Sequence, residues 1–88
     1  MKESIVNVLN QLYEEGYRYV VRDKDKNYLI CYSLKPKKYL ELEAWGYVNP
    51  DAQGAIMAHP FENTDNTEIT WSNSSATLIS DYLAKNTL

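Results

Sequence analysis

Two runs rich in β-branched and aromatic residues, separated by a short charged segment, constrain the fold of this chain most. The first run, "YRYVVRD", covers residues 17–23, and the second, "NYLICYSL", covers residues 27–34. The polar residues from Asp23 to Asn27 lie where the runs meet. This pattern predicts two antiparallel strands joined by a loop of about four or five residues.

The register of this hairpin stays open. With a five-residue loop, Tyr19, Val21, Leu29 and Cys31 share one uncharged face. A four-residue loop changes the pairs and reassigns the faces, because a shift of one residue turns every side chain to the other side. In either register one face is apolar enough to pack against a helix.

The segment before the hairpin predicts an amphipathic helix over about residues 3–15. Ile5, Leu9, Leu12 and Tyr13 recur at helical spacing. Gly16 follows the last turn, at the position where a helix favours a left-handed residue.

The rest of the chain predicts further short elements. Pro36 ends the second strand, and "YLELEAWGYV" (39–48) alternates as a third strand, with Leu40 and Leu42 on its apolar side. Residues 54–66 predict an irregular connection anchored by Ile56, Met57 and Phe61. "TEITW" (67–71) is a candidate fourth strand.

A closing helix is predicted over about residues 75–85. Ser72 to Ser75 are its N-cap candidates, and its apolar side consists of Leu78, Ile79, Tyr82 and Leu83.

These elements predict one α+β domain covering residues 1–88. We expect an N-terminal helix, a three- to four-stranded antiparallel sheet and a C-terminal helix in two layers. The 88 residues contain no apolar run of the roughly 18 residues that span a membrane, and the N-terminal segment does not read as a signal peptide. With its single Cys31, the chain is expected to be cytoplasmic, without membrane association.

Charge is distributed unevenly along the chain. Residues 17–38 hold seven cations against two acids, whereas residues 39–88 hold one cation against seven acids. This polarity allows head-to-tail self-association, which would be sensitive to salt, and a homodimer is a further expectation for the chain.

The basic, tyrosine-rich segment 17–38 is the candidate binding surface. Tyr, Trp and Arg are enriched at protein interfaces, so the first hypothesis is that the chain binds a protein partner. The alternative is weak binding of single-stranded nucleic acid, through cations and stacking tyrosines, although the pI of about 5.0 is low for that role. The candidate contact residues are Arg18, Arg22, Tyr28, Tyr32, Lys35, Lys37 and Lys38.

Other chemistries find little support in the sequence. "DKDKN" begins like a calcium loop, but Tyr28 and Leu34 stand where glycine and a bidentate glutamate are needed. Cys31 and His59 are the one nucleophile–base pair, and a cysteine in the middle of a strand usually packs as a small hydrophobe. We therefore expect no catalytic residue, no metal site, no cofactor and no enzymatic activity.

Several residues spread over the chain also carry a resemblance to a group of proteins. "GYRYVVRDKD", "KPKK", a tryptophan, and "ITW" followed by "LISDYL" resemble small proteins encoded by phages and prophages of Gram-positive bacteria. Lys26-Asn27 depart from that pattern, which has a glycine in the hairpin turn. The resemblance implies an accessory gene product acting inside a bacterial cell, without a defined chemistry. The residues that carry it are Gly16, Tyr17, Tyr19, Arg22, Asp23, Tyr32, Pro36, Trp45, Ile69 and Trp71.

Overall fold

The computed structural model describes residues 5–46, 58–63 and 68–86. The elements in these ranges are α1 (Ile5–Glu14), β1 (Tyr19–Val21), β2 (Tyr28–Tyr32), β3 (Lys37–Tyr39), β4 (Ala44–Gly46), β5 (Ala58–Glu62), β6 (Thr77–Leu78) and α2 (Ile79–Asn86). The main sheet has the order β5-β2-β1-β6 with antiparallel pairs, and β3 and β4 form a separate antiparallel pair. The predicted α+β fold, in which one helix precedes and one follows the antiparallel strands in the chain, is confirmed.

The β1–β2 hairpin adopts the register with the shorter loop. Val20 lies opposite Cys31, and Val21 lies opposite Ile30. Continued along the chain, this register sets Asp23 opposite Tyr28, with residues 24–27 as the four-residue loop. Val20, Leu29 and Cys31 consequently share one face of the sheet, and all three are fully buried. Both registers offered an apolar face, and in the observed one Val20, rather than Tyr19 and Val21, lies on the buried face with Leu29 and Cys31.

Both helices cover this face and form the larger core. Leu9 and Leu12 of α1 and Ile79 and Tyr82 of α2 are buried against it, together with Ile69. The predicted amphipathic stripe of the first helix is confirmed, because its apolar positions at helical spacing are the ones that pack on the sheet.

Gly16 ends α1 as predicted. Its φ of 112° is in the region that glycine adopts most readily. The amide of Gly16 donates to the carbonyl of Tyr13 and the amide of Tyr17 donates to that of Leu12, at 3.1 and 3.0 Å. These two bonds define a Schellman motif, which turns the chain from the helix towards β1.

The opposite face of the main sheet is covered by the β3–β4 hairpin. The prediction of one continuous strand over residues 39–48 is therefore wrong in the part that the structure describes. The chain reverses at residues 40–43, where Glu43 has a φ of 54°, and Leu40 and Leu42 are each 72% exposed. After the turn, Trp45 packs against Val21 and Tyr32 in a second, smaller core.

Residues 58–62 form an edge strand in the segment that was predicted to be irregular. β5 pairs with β2, and Pro60 lies opposite Ile30. The amide of Asn63 donates to the carbonyl of Asn27, so by alternation the nitrogen of Pro60 faces the free edge, where proline costs no ladder hydrogen bond. The predicted anchor Phe61 packs against the larger core, whereas Ile56 and Met57 lie outside the described residues.

The C-terminal elements begin later than predicted. Residues 68–71 form a bend and a turn and not a strand. The strand β6 pairs with β1, and α2 begins at Ile79, four residues beyond the predicted start. Ser72 to Ser75 therefore do not cap it, and the amide of Ile79 instead donates to the carbonyl of Arg18 at 2.9 Å. Ile79 and Tyr82 are buried as predicted, while Leu78 is 38% exposed.

Candidate interaction surface

Arg18 lies at the C-terminal end of α1. Its Nη1 donates to the carbonyls of Tyr13 and Tyr17 at 2.7 and 2.9 Å, and its Cζ lies 4.2 Å from the centre of the Tyr13 ring. A cation is favourable there because the helix dipole leaves partial negative charge on the last carbonyls. Arg18 is exposed, but part of its hydrogen-bonding capacity is used to cap its own helix.

Arg22 joins three segments of the chain. Its Nε donates to the carbonyl of Ile69 at 2.9 Å, and its Nη1 donates to the carbonyls of Lys26 and Asn63 at 3.0 and 2.9 Å. Its partial burial lowers the pKa of the guanidinium, because desolvation disfavours the charged form. Arg22 thus ties the hairpin loop to the residues that follow β5 and to the 68–71 bend.

Tyr32 is 7% exposed and takes part in the second core. Its hydroxyl donates to the carbonyl of Trp45 at 3.3 Å. Trp45 is bound from two further directions: its Nε1 donates to the carbonyl of Arg22 at 3.1 Å, and its amide donates to Oδ1 of Asp23 at 2.9 Å. Tyr32 therefore helps to fix the β3–β4 hairpin on the main sheet, and little of its side chain is open to solvent.

Lys38 lies between the two tryptophans of the chain. Its Nζ is 4.7 Å from the centre of the Trp71 ring and 5.3 Å from that of Trp45, and it donates to the carbonyl of Trp71. The two rings meet edge to face, with centroids 6.4 Å apart and planes at 81°. This arrangement holds β3, β4 and the 70–76 segment together.

The other three predicted contact residues are more accessible. Lys35 and Lys37 are exposed, and Tyr28 is half-buried. Lys35 borders an open, mostly polar depression of about 450 Å³, which is also lined by Tyr19 and by residues 73–78. The seven candidates therefore do not form one continuous accessible surface. Arg22, Tyr32 and Lys38 make contacts within the fold, and Arg18 caps a helix.

The loop that resembles a calcium site is used for hairpin contacts. Asp23 is 7% exposed, and its Oδ1 accepts the Trp45 amide. Lys24 forms a 2.8 Å ion pair with Glu43, which raises the pKa of Lys24 and lowers that of Glu43. Among the described residues, no group of three or more His, Cys, Asp and Glu side chains is placed to hold a metal ion.

Cys31 and His59 lie opposite each other on β2 and β5. Burial raises the pKa of the Cys31 thiol to about 12, so that at neutral pH it is protonated and a poor nucleophile. His59 is exposed, and its ring makes an edge contact with Tyr17 at 6.0 Å. The pair is brought together, but the cysteine behaves as a core residue.

The turn at residues 40–43, which we call the apolar turn, is not predicted by the sequence pattern. It presents Leu40 and Leu42 to solvent on either side of the exposed Glu41. A glycine or asparagine would normally mark a left-handed turn position, and Glu43 occupies that position here. No local signal in the sequence therefore identified the turn.

An open apolar groove lies on the sheet face that carries the β3–β4 hairpin. It has a volume of about 480 Å³ and is lined by Tyr28, Ile30, Pro60, Phe61 and Glu62. Tyr28 and Ile30 alternate with Leu29 along β2, and thus lie on the face opposite to the helices. Tyr28 is the one predicted contact residue that this groove includes.

Comparisons with known proteins give no assignment. No family model matches the chain, and no match to it was found among the curated proteins or the solved structures. Within the described residues, neither helix is long and apolar enough to cross a membrane.

Proposed function

We propose that this chain is a non-enzymatic accessory protein of a phage or prophage that binds a host or phage protein inside a Gram-positive bacterial cell. The observation that supports this proposal is the apolar turn, which exposes two leucines, each by 72%, on an ordered part of the fold. Burying a leucine side chain is worth roughly 1.5–3 kcal/mol. A partner that covers both residues therefore gains a substantial part of a binding free energy.

The apolar turn is held in place before any partner arrives. The amide of Leu42 donates to the carbonyl of Tyr39, and the amide of Glu43 donates to that of Leu40, both at 3.2 Å. The Lys24 amide also donates to the carbonyl of Glu43, and the Lys24–Glu43 ion pair lies beside it. A pre-ordered turn loses less conformational entropy on binding than a flexible one.

Charge indicates the kind of surface that would receive the apolar turn. Glu41 lies between the two leucines and is exposed, and Glu62 borders the groove on the same side of the sheet. A complementary partner has an apolar cleft for the leucines with lysine or arginine at its rim. The proposed partner is therefore a protein with a basic-rimmed hydrophobic cleft.

The contacts of the basic segment support nucleic-acid binding less well. Base stacking needs accessible aromatic faces, whereas Tyr32 is buried. Arg22 and Lys38 use their donors on carbonyls of the chain. Lys35 and Lys37 remain on the surface, and they are the residues on which the alternative is best tested.

The proposal is tested by capture of proteins from a Gram-positive lysate, with and without nuclease. Three tagged proteins are compared: the wild type, the L40S/L42S variant and the matched surface variant K35E/K37E. We expect a defined protein that survives nuclease, that is retained by K35E/K37E, and that is lost with L40S/L42S. Far-UV circular dichroism establishes that both variants are folded.

Two results would contradict the proposal. Capture of the same protein by L40S/L42S at wild-type yield would show that the apolar turn is not the contact surface. Recovery of nucleic acid that disappears with K35E/K37E would favour the alternative. Self-association is read separately by sedimentation, and a dimer that L40S/L42S abolishes would make a second copy of the chain the occupant of the turn.

A further inference from the structure

The contacts around Lys38 have the composition of a site for an organic cation. Two indole rings face one ammonium group at 4.7 and 5.3 Å, and a main-chain carbonyl accepts one of its protons. Tryptophan is the aromatic residue that attracts cations most strongly, and paired aromatic faces are a recurrent means of binding ammonium groups. In this structure the cation belongs to the chain itself.

We propose that Trp45 and Trp71 form a cation-binding site that accepts a primary alkylammonium group, and that Lys38 is its tethered occupant. The two tryptophans are set at an angle of 81°, so that their faces border the same space. Trp45 is fixed there independently of Lys38, because its amide and its indole nitrogen are bound to Asp23 and to the carbonyl of Arg22. At least one wall of the site therefore keeps its position when the lysine is removed.

The position of the site implies that an external ligand would have to compete with Lys38. Lys38 is on β3 and Trp45 is opposite it on β4, so the tether is short and the ammonium group is held at a high effective concentration. An incoming amine must displace this group before it can reach the rings. This inference does not rest on the proposed function, since the site and the apolar turn consist of different residues.

Chemical rescue tests the proposal directly. The change Lys38→Ala removes three carbons and the ammonium group, and n-propylammonium restores the same atoms. We expect n-propylammonium to change the tryptophan fluorescence of K38A saturably, with half-saturation on the order of 10–100 mM. It should also raise the thermal midpoint of K38A over the same range, while sodium chloride at equal concentration should not. The wild type should show no saturable change, since Lys38 fills its site.

Matched controls separate the charge from the filling of space. n-Propanol has a similar size without a charge, and we expect it to bind K38A at least about fivefold more weakly. In K38A/W71L, where Trp45 remains as the reporter, n-propylammonium binding should also weaken at least about fivefold. Lys38→Met keeps a long apolar side chain without its charge, so it should unfold at a lower temperature than the wild type and should not be rescued.

The outcomes that would overturn the proposal are distinct. Equal responses of K38A to n-propanol and n-propylammonium would show an apolar void and not a cation site. The absence of a saturable response in folded K38A would show that no such site exists. If K38A is unfolded without a ligand, we expect n-propylammonium to refold it and n-propanol not to. The proposal would be refuted if neither compound refolded K38A while K38M had the stability of the wild type.

Discussion

The contacts of Arg22 allow one stability effect to be worked out in detail. In the change Arg22→Met the apolar part of the side chain is largely kept, and at least three hydrogen bonds to main-chain carbonyls are lost. Hydrogen bonds to charged groups contribute about 1.5–3 kcal/mol when well buried. Since Arg22 is half-buried, a value of about 1 kcal/mol for each bond is appropriate, which predicts a loss of about 3 kcal/mol.

Urea denaturation followed by tryptophan fluorescence measures this loss. For a domain of this size the dependence on urea is about 1 kcal/mol per molar, so we expect the midpoint of Arg22→Met to fall by about 3 M. Arg22→Lys should lie between this variant and the wild type, because a lysine keeps the charge but has one donor atom. Arg18→Met is the matched control: its bonds to Tyr13 and Tyr17 are local and exposed, and we expect a loss of about 1 kcal/mol or less.

A specific result would refute this reasoning. If the midpoint of Arg22→Met lay within about 0.3 M of the wild type, the three hydrogen bonds would contribute nothing to stability. Arg22 would then be an accessible cation whose contacts in the fold are incidental. Its original assignment as a partner-contact residue would regain support.

Three further predictions follow from individual side chains. Burial raises the pKa of Cys31 from 9.0 to about 12. Between these pH values the unfolded chain releases the thiol proton and the folded chain keeps it. The free energy of unfolding should therefore fall by about 1.4 kcal/mol per pH unit over this range. Cys31→Ala should lack this part of the alkaline loss in pH-dependent urea titrations. Asp25 has a φ of 57°, a left-handed conformation that is unfavourable for a residue with a Cβ. Asp25→Gly removes this strain but gives the unfolded chain more conformational entropy, so we expect a net increase of about 0.5–1 kcal/mol in the free energy of unfolding. A lower urea midpoint would contradict this. The Tyr39 hydroxyl is buried with no hydrogen-bond partner among the described residues, so thermal unfolding of Tyr39→Phe should show equal or higher stability, by up to about 1 kcal/mol.

Local sequence patterns predict the elements that interactions between neighbouring residues determine. The helix α1 follows from the spacing of its apolar residues, and its end follows from Gly16, because a left-handed glycine satisfies the last carbonyls by itself. The hairpin also follows from adjacent residues. Its register did not, since both pairings present an apolar face, and the packing of Val20 beneath both helices decides between them.

Features that depend on distant partners were missed for the same reason. β5 contains Pro60 and exposed residues, which weaken the pattern of a strand, and only its pairing with β2 reveals it. The sequence predicts Arg22 and Lys38 as surface cations, yet they bind carbonyls that lie 47 and 33 residues further along the chain. The residue types show that both side chains are charged, but no local sequence pattern predicts which carbonyls they bind.

The pairing of β6 with β1 has a consequence for synthesis on the ribosome. Residues 77–78 form the neighbour of β1, and they are made after the other described strands and after α1. Until they emerge, the edge of β1 at Tyr19 and Val20 has no partner strand, and unpaired apolar edges favour association with other chains. Nascent chains of this protein should therefore be prone to aggregation until β6 pairs with β1 and α2 packs on the sheet.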